Sequence, residues 1–168
     1  MRLRALLSAL IPLAIACGSD STTAPVSIEQ TTFASSLGVN LSASTKTASG
    51  LYYRDITVGT GATLASGRTV GMRYSGAFVN GTVFDANPAP KAVFTFVLGS
   101  GQVIKGWDEG LVGMKVGGTR QLIIPPSLGY GDEGNQGIPP AATLVFEVEL
   151  LGVKDAPKEA AAPAPAGK

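Results

Sequence analysis

Apolar and polar residues alternate through much of positions 51–153, and this pattern predicts short β-strands separated by turns. The alternation is strictest over 145–150, as in an antiparallel strand with one buried face. The predicted strand segments are 51–58, 69–79, 82–85, 94–98, 119–124 and 142–153. Asn80 and Gly81 lie between the second and third segments. They predict a hairpin with a type I′ turn, in which both central residues need positive φ.

The only helix predicted within this β-rich region follows the segment 94–98. Gly99 and Gly101 end that strand, and an acidic pair follows Trp107 where it suits the positive end of a helix dipole. We expect a short helix that begins near Lys105 and turns Trp107 inward. The apolar side of such a helix must pack against another apolar surface, and the predicted sheet has one apolar face on which it can pack. The predicted fold is therefore α+β, with a five-stranded curved antiparallel sheet wrapped around one short helix.

The N-terminus has the form of a targeting segment. Residues 1–16 begin with two arginines and continue as an apolar run, which predicts a secretory signal peptide. The run ends at Cys17, the only cysteine, and the small residues before it resemble the lipobox of bacterial lipoproteins. We expect an exported protein that is lipid-anchored through Cys17, at the periplasmic face of the cell envelope. The alternative is an ordinary cleaved signal in which this cysteine is incidental.

The segments that flank the β-rich region have a different composition. Residues 17–48 contain the anchor cysteine and are rich in Ser, Thr and Ala, which predicts a flexible linker. The spacing of Phe33, Leu37 and Leu41 leaves a short helix open as an alternative. Residues 156–168 are mostly Ala, Pro, Lys and Glu, and they predict a disordered tail.

Composition excludes several classes of function. The chain has 168 residues, 45% apolar and 15% charged, which suits one globular domain with appendages. The net charge of +1 gives no electrostatic basis for binding nucleic acid. The sequence has no histidine and one cysteine, which excludes Ser-His-Asp triads, histidine-based zinc sites and an intrachain disulfide. We therefore expect neither a metal nor a cofactor.

An ordered set of motifs across residues 49–155 resembles the FKBP-type peptidyl-prolyl cis–trans isomerases. The motifs are Tyr74-Ser75-Gly76, Phe84-Asp85, Val103-Ile104-Lys105-Gly106-Trp107, Tyr130-Gly131 and Ile138-Pro139-Pro140, followed by the strand segment 143–150. No single motif is decisive, but the ordered set is specific. Residues 49–155 are therefore expected to form an isomerase domain.

The resemblance implies a pocket between the helix and the sheet. Trp107 is expected to form its base, with Asp85 and Tyr130 at the rim, and these three are the expected catalytic residues. The expected substrate-binding residues are Tyr74, Phe84, Phe94, Val103, Ile104, Ile138 and Phe146. The resemblance also implies that the Ile104 amide and the Tyr130 hydroxyl bind ligand carbonyls. Phe96, by contrast, is expected in the core.

The implied activity is rotation of X–Pro bonds in exported proteins, which assists their folding. Its partners would be proline-containing polypeptides, with macrolides such as tacrolimus or rapamycin as further ligands, and the protein is expected to be a monomer. One alternative is a non-catalytic chaperone or binding module for proline-containing or unfolded segments. Another is a small β-barrel that carries an apolar metabolite.

Overall fold

Seven strands of residues 26–155, the part of the chain that the computed structural model describes, pair into one antiparallel sheet. The strands are β1 (Thr45–Lys46), β2 (Tyr52–Thr57), β3 (Arg68–Phe78), β4 (Val83–Ala86), β5 (Phe94–Val97), β6 (Thr119–Ile124) and β7 (Leu144–Asp155). Their order is β1-β2-β6-β7-β3-β4, and β5 pairs with β3 as well. The predicted signal peptide, Cys17 and the tail 156–168 lie outside the described residues.

The predicted α+β class, an antiparallel sheet around one short helix, is confirmed. The sheet has seven strands rather than five. Strands β2 to β7 correspond to the six predicted strand segments, and only β1 falls outside them. It has two residues and carries no apolar alternation, so the sequence pattern gives no signal for it. Two other short strands share one partner, since β5 pairs with the first half of β3 and β4 pairs with the second half.

The β3–β4 hairpin exists, but its turn differs from the predicted type I′. The Gly81 N–H donates to the Phe78 carbonyl at 2.9 Å, so Val79 and Asn80 are the central residues. Gly81 follows them with φ of 87°, whereas Asn80 is not among the residues with positive φ. The connection is therefore a turn followed by one left-handed glycine. This arrangement is common in longer hairpin loops. Separately, the two strands shift register between Gly76 and Ala77.

The helix α1 (Lys105–Gly110) begins where the sequence predicted and lies directly against β6. A Cβ built on Gly106 would lie 2.6 Å from Ile124 Cγ2, and one built on Gly110 would lie 2.8 Å from Leu122 Cδ2. Glycines one turn apart thus allow the helix to approach the strand closely. No helix within residues 26–155 has the length and apolar character needed to cross a membrane.

The main core lies between α1 and the concave face of the sheet. Trp107 and Phe96 are buried in it, and the position of Phe96 agrees with its predicted place in the core. The other fully buried members come from several elements and include Leu51, Leu64, Val70, Met72, Leu98, Leu111, Leu122, Ile124, Leu144, Val148 and Leu150. This burial holds the short helix in the curve of the sheet.

A second apolar cluster covers part of the sheet's outer face. It consists of Ile28, Tyr52, Ile123 and Val145, with Phe33, Leu37, Val39 and Leu41 packed against it. Residues 26–46, here called the N-terminal strap, cross this face with 3-10 turns at Ile28–Gln30, Ser35–Leu37 and Leu41–Ala43. The expected flexible linker is therefore not what the structure shows for this segment. The reason is that β2, β6 and β7 present apolar side chains outward, and these need a cover.

Side chains of the sheet anchor the strap. Gln121 Nε2 donates to the Leu37 carbonyl at 2.7 Å, and Arg54 Nη2 donates to the Gly38 carbonyl at 2.9 Å. Glu29 accepts hydrogen bonds from Lys46 and Tyr52. Near the middle of the strap, the Ala34 N–H donates to the Val79 carbonyl of the hairpin at 2.8 Å. The strap is thus held at several points along its length.

Candidate active site

A cavity of about 180 Å³ opens between α1 and the concave face of the sheet. It is lined by Tyr74, Phe84, Asp85, Phe94, Gln102, Val103, Ile104, Trp107, Tyr130 and Phe146. The sheet contributes the aromatic walls and Asp85. The helix contributes Trp107, and the loops before the helix and after β6 complete the rim. Nine of these ten residues belong to the set expected from the sequence.

Trp107 forms the floor of this cavity and is 4% exposed. Its ring meets Tyr74 at a centroid distance of 5.1 Å, Phe146 at 5.3 Å and Phe94 at 6.1 Å. All three pairs are edge-to-face, the arrangement that the quadrupoles of aromatic rings favour. The indole Nε1 is buried and has no hydrogen-bond partner within residues 26–155. The floor is therefore aromatic, and rings fix it on three sides.

One wall depends on a residue that has no side chain. Phe84 and Phe146 meet edge-to-face at 5.5 Å, directly over Gly76 of β3. A Cβ on Gly76 would lie 2.5 Å from Phe146 Cε1 and 2.9 Å from Phe84 Cζ. Because any larger residue would displace both rings, the glycine sets the shape of this wall.

Tyr74 and Asp85 form a polar pair at one side of the rim. The Tyr74 hydroxyl donates to Asp85 Oδ2 at 2.7 Å. Burial, together with this hydrogen bond and the charge of Asp85, raises the pKa of Tyr74 to about 12. The phenol is therefore protonated at neutral pH and holds the exposed carboxylate beside the pocket mouth. The strand register, which pairs Asp85 with Gly76, brings the two side chains together across β3 and β4.

Two further hydrogen-bond donors at the pocket, besides the Trp107 indole, are unpaired. Tyr130 follows the 3-10 turn Pro126–Leu128 and is 36% exposed, and its hydroxyl has no partner within residues 26–155. The Ile104 N–H likewise has no acceptor in this part of the chain, although the Ile104 carbonyl accepts from the Trp107 N–H at 2.9 Å. Both groups are free to donate to a ligand carbonyl.

The loop that carries Val103 and Ile104 is held by a side chain of the helix. The Asp108 carboxylate accepts from the Gly99 N–H at 2.7 Å and from the Gly101 N–H at 3.2 Å. Gln102 lines the pocket, and its Oε1 accepts from the Val97 N–H at 3.1 Å. Sequence reasoning missed Gln102 because a polar residue in a turn gives neither a periodic nor an apolar signal.

Ile138 does not line this cavity, contrary to the expectation. It is 9% exposed and packs in the main core. Its backbone closes a tight turn with Asn135: the Asn135 N–H donates to the Ile138 carbonyl at 3.0 Å, and the Ile138 N–H donates back at 2.8 Å. This turn directs the side chain to the interior rather than to the rim. Ile138 therefore does not contribute to the lining of the cavity.

Other clefts are larger but lack the residues that line the aromatic cavity. Larger clefts of about 430 and 750 Å³ border the N-terminal strap, but neither is lined by Trp107 or by the Tyr74–Asp85 pair. Among residues 26–155, no three His, Cys, Asp or Glu side chains come together in a way that would hold a metal ion. The aromatic cavity is therefore the candidate site.

Comparison with known proteins gives a family match for most of the β-rich region. Residues 61–151 match the family model described as FKBP-type peptidyl-prolyl cis-trans isomerase. FK506-binding protein 4 of Gibberella zeae is 52% identical over 109 residues, which cover 65% of this chain and 22% of that protein. The protein of the same name from Rhizopus delemar is 53% identical over 111 residues, covering 66% and 29%. The chain thus spans less than a third of the curated relatives that it matches.

Solved structures show the same relationship. FkpA from Escherichia coli superposes with a TM-score of 0.64 at 42% identity, covering 68% of this chain and 53% of that one. AtFKBP13 superposes with a TM-score of 0.61 at 39% identity, covering 65% of this chain and 97% of that one. The similarity to AtFKBP13 therefore extends over almost the whole of a solved chain.

Proposed function

Because this chain belongs to the FKBP-type peptidyl-prolyl cis–trans isomerase family, we propose that it rotates X–Pro bonds in exported polypeptides and so assists their folding. The observation that carries this proposal is the Trp107 floor, which is walled by edge-on rings and flanked by unpaired donors. A proline ring is compact and apolar, so it suits this small aromatic cavity.

The chemistry follows from the electronic structure of the amide. Rotation about the X–Pro bond passes through a twisted state without resonance, and the barrier is about 20 kcal/mol. The planar amide is more dipolar than the twisted one, so a dry aromatic pocket disfavours the ground state relative to the transition state. Each gain of about 1.4 kcal/mol accelerates the step tenfold. The step itself forms no covalent bond to the enzyme and transfers no proton.

The polar groups at the rim orient the substrate. The Ile104 N–H and the Tyr130 hydroxyl donate to carbonyls that flank the rotating bond. The Tyr74 hydroxyl fixes the Asp85 carboxylate beside the mouth. Donors fixed before the substrate arrives favour the twisted state more strongly than mobile water does. In this mechanism Trp107 excludes water from the proline ring, and the polar groups at the rim orient the X–Pro bond.

A protease-coupled assay on an X–Pro peptide tests the activity with the full chain. We expect cis-to-trans conversion faster than the uncatalysed rate, and loss of that acceleration in Trp107→Leu. Peptide binding is followed separately through Trp107 emission. If the peptide binds but its isomerisation is not accelerated, the protein is a non-catalytic binding module for proline-containing segments.

We further propose that the pocket binds macrolides of the FK506 class. The fungal relatives are named FK506-binding proteins, and the aromatic floor and walls offer the apolar surface that such a ring needs. Titration of FK506 (tacrolimus) against Trp107 emission tests this, with Trp107 as the only tryptophan reporter. Rapamycin is expected to compete for the same site. A titration without saturable change in emission would refute macrolide binding but not isomerase activity.

Export and anchoring form a separate proposal. We propose that residues 1–16 are a cleaved signal, that Cys17 is lipidated, and that the protein faces the periplasm as a membrane-anchored monomer. The support is the basic and apolar N-terminus, which ends at the only cysteine. We expect Cys17→Ser to move the protein from the membrane fraction to the soluble fraction. A variant that remains in the membrane fraction would overturn the anchor. Sedimentation in detergent tests the monomer.

A further inference from the structure

Arg120 is a charged residue in the core, at 4% exposure, and the proposed mechanism leaves it without a role. Its guanidinium binds the Asp55 carboxylate in a bidentate manner, with Nε to Oδ1 at 2.7 Å and Nη2 to Oδ2 at 3.0 Å. The group also lies over the Tyr53 ring, 4.7 Å from its centroid. The guanidinium side chain is 5% exposed and the Asp55 side chain is 33% exposed. A partly buried ion pair of this kind adds little net stability over well-packed apolar residues, so stability alone does not explain it.

The remaining donor of Arg120 reaches the end of the helix. Nη1 donates to the Gly110 carbonyl at 2.8 Å and to the Val112 carbonyl at 3.1 Å. Gly110 is the last residue of α1, where backbone carbonyls lack helical partners and a positive charge is favoured by the helix dipole. The guanidinium therefore connects the C-terminal end of α1 to β2 and β6.

Helix α1 needs such external support because it is short. A helix of six residues is not stable by itself, and its orientation must come from packing. Three successive inward positions of β6 supply that packing. Ile124 lies under Gly106, Leu122 lies under Gly110, and Arg120 binds the carbonyls that follow. Of the three, only Arg120 makes directional contacts, so it determines where the helix end lies.

The connection from this contact to the pocket floor is short. The Leu111 N–H, which lies between the two bound carbonyls, donates to the Trp107 carbonyl at 3.1 Å. A displacement of the helix end therefore moves the indole. We propose that Arg120, with Asp55 as its partner, is a positioning residue for the isomerase reaction, because it holds α1 where Trp107 closes the pocket. This inference rests on the proposed isomerase function.

The experiment separates positioning from stability. Arg120→Lys retains the charge but loses the bidentate geometry. The double variant Asp55→Leu with Arg120→Met replaces the ion pair with apolar side chains, and its midpoint of thermal unfolding shows whether the pair contributes to stability. The matched control is Arg54→Gln, which removes the guanidinium bound to the Gly38 carbonyl on the outer face of the same sheet. Each variant is assayed for kcat/KM, Trp107 emission and the midpoint of thermal unfolding.

We expect kcat/KM to fall roughly tenfold or more in both Arg120 variants, since a displacement of about 1 Å can reduce the rate a hundredfold. The Trp107 emission maximum should shift with it, even where the double variant melts at or above the wild-type temperature. Arg54→Gln should keep the wild-type emission and activity. Wild-type kcat/KM and emission in a stably folded double variant would overturn the inference.

The emission measurement also keeps this inference distinct from the proposed function. If the wild-type chain shows no isomerase activity, the proposed function fails, whereas the shift in Trp107 emission still reports whether Arg120 positions the helix. If the wild-type chain is active and the Arg120 variants retain wild-type emission, only the positioning role fails.

Discussion

Gly76 is the position at which the smallest possible substitution should damage the pocket most. Gly76→Ala adds one methyl group, which would lie 2.5 Å from Phe146 Cε1 and 2.9 Å from Phe84 Cζ. Carbon atoms in favourable contact are about 3.5 to 4.0 Å apart, so the Phe146 ring must retreat by about 1 Å. Phe146 is buried and lies edge-on to Trp107 at 5.3 Å, so the ring retreats into the pocket floor.

Two opposing terms determine the stability of this variant. Overpacking a well-filled core costs about 1–3 kcal/mol. Alanine in a strand offsets about 0.5–1 kcal/mol of that cost, because glycine loses more conformational freedom on folding. We expect a net loss of about 1–2 kcal/mol in the free energy of unfolding, with kcat/KM reduced roughly tenfold or more. Urea unfolding measures the first quantity, and the protease-coupled assay measures the second.

The same strand provides the control. Gly71 lies on the opposite face of β3, where a Cβ would approach Val93 Cγ1 at 3.0 Å. Val93 is 41% exposed and can move outward. Gly71→Ala should therefore retain full activity and lose little stability. If Gly76→Ala proves as active and as stable as Gly71→Ala, Phe84 and Phe146 do not form the rigid wall described above.

Three further outcomes follow from the rim. Tyr130→Phe removes a hydroxyl that has no partner within residues 26–155, so kcat/KM should fall about fivefold, the equivalent of about 1 kcal/mol. The midpoint of thermal unfolding should stay unchanged, and a lowered midpoint would show that the hydroxyl has a structural role. Asp85→Ala removes the acceptor of the Tyr74 hydroxyl, so ultraviolet titration should show the Tyr74 pKa falling from about 12 towards its ordinary value. An unchanged Tyr74 pKa would contradict the hydrogen bond between Tyr74 and Asp85. Folding raises that pKa, so the stability from Tyr74 is complete below about pH 10 and is lost as the pH rises through about 12. Urea unfolding between these pH values should show the loss in the wild type, and Tyr74→Phe should show less of it.

The pocket could be anticipated from sequence because its residues lie on regular elements. Alternation places Tyr74 and Phe146 on one face of their strands, and the helix start at Lys105 places Trp107 inward. The family resemblance then separated pocket aromatics from core aromatics, which periodicity alone does not do. Ile138 departed from the expectation because a tight turn, rather than a strand or helix, directs its side chain.

The N-terminal strap was missed for a different reason. The spacing of Phe33, Leu37 and Leu41 indicated at most a short helix, whereas the segment consists of 3-10 turns separated by extended pieces, a combination that has no period of its own. The sequence did contain a sign that the outer face of the sheet is covered, namely the unbroken apolar run Leu122-Ile123-Ile124 of β6. Such a run indicates a strand with both faces covered. The helix covers one face, so the upstream segment had to supply the cover for the other.

Three glycines determine much of the shape of the site because they leave room for neighbouring side chains. Gly76 leaves room for two rings of the wall, and Gly106 and Gly110 let the helix settle on β6. At each of these glycines a Cβ would come within 3 Å of a core side chain, so the obstacle is steric rather than one of backbone conformation. The aromatic residues provide the surface of the pocket, and the glycines fix the distances between its parts. Replacing any of the three with alanine should therefore impair catalysis more than the loss of stability alone explains.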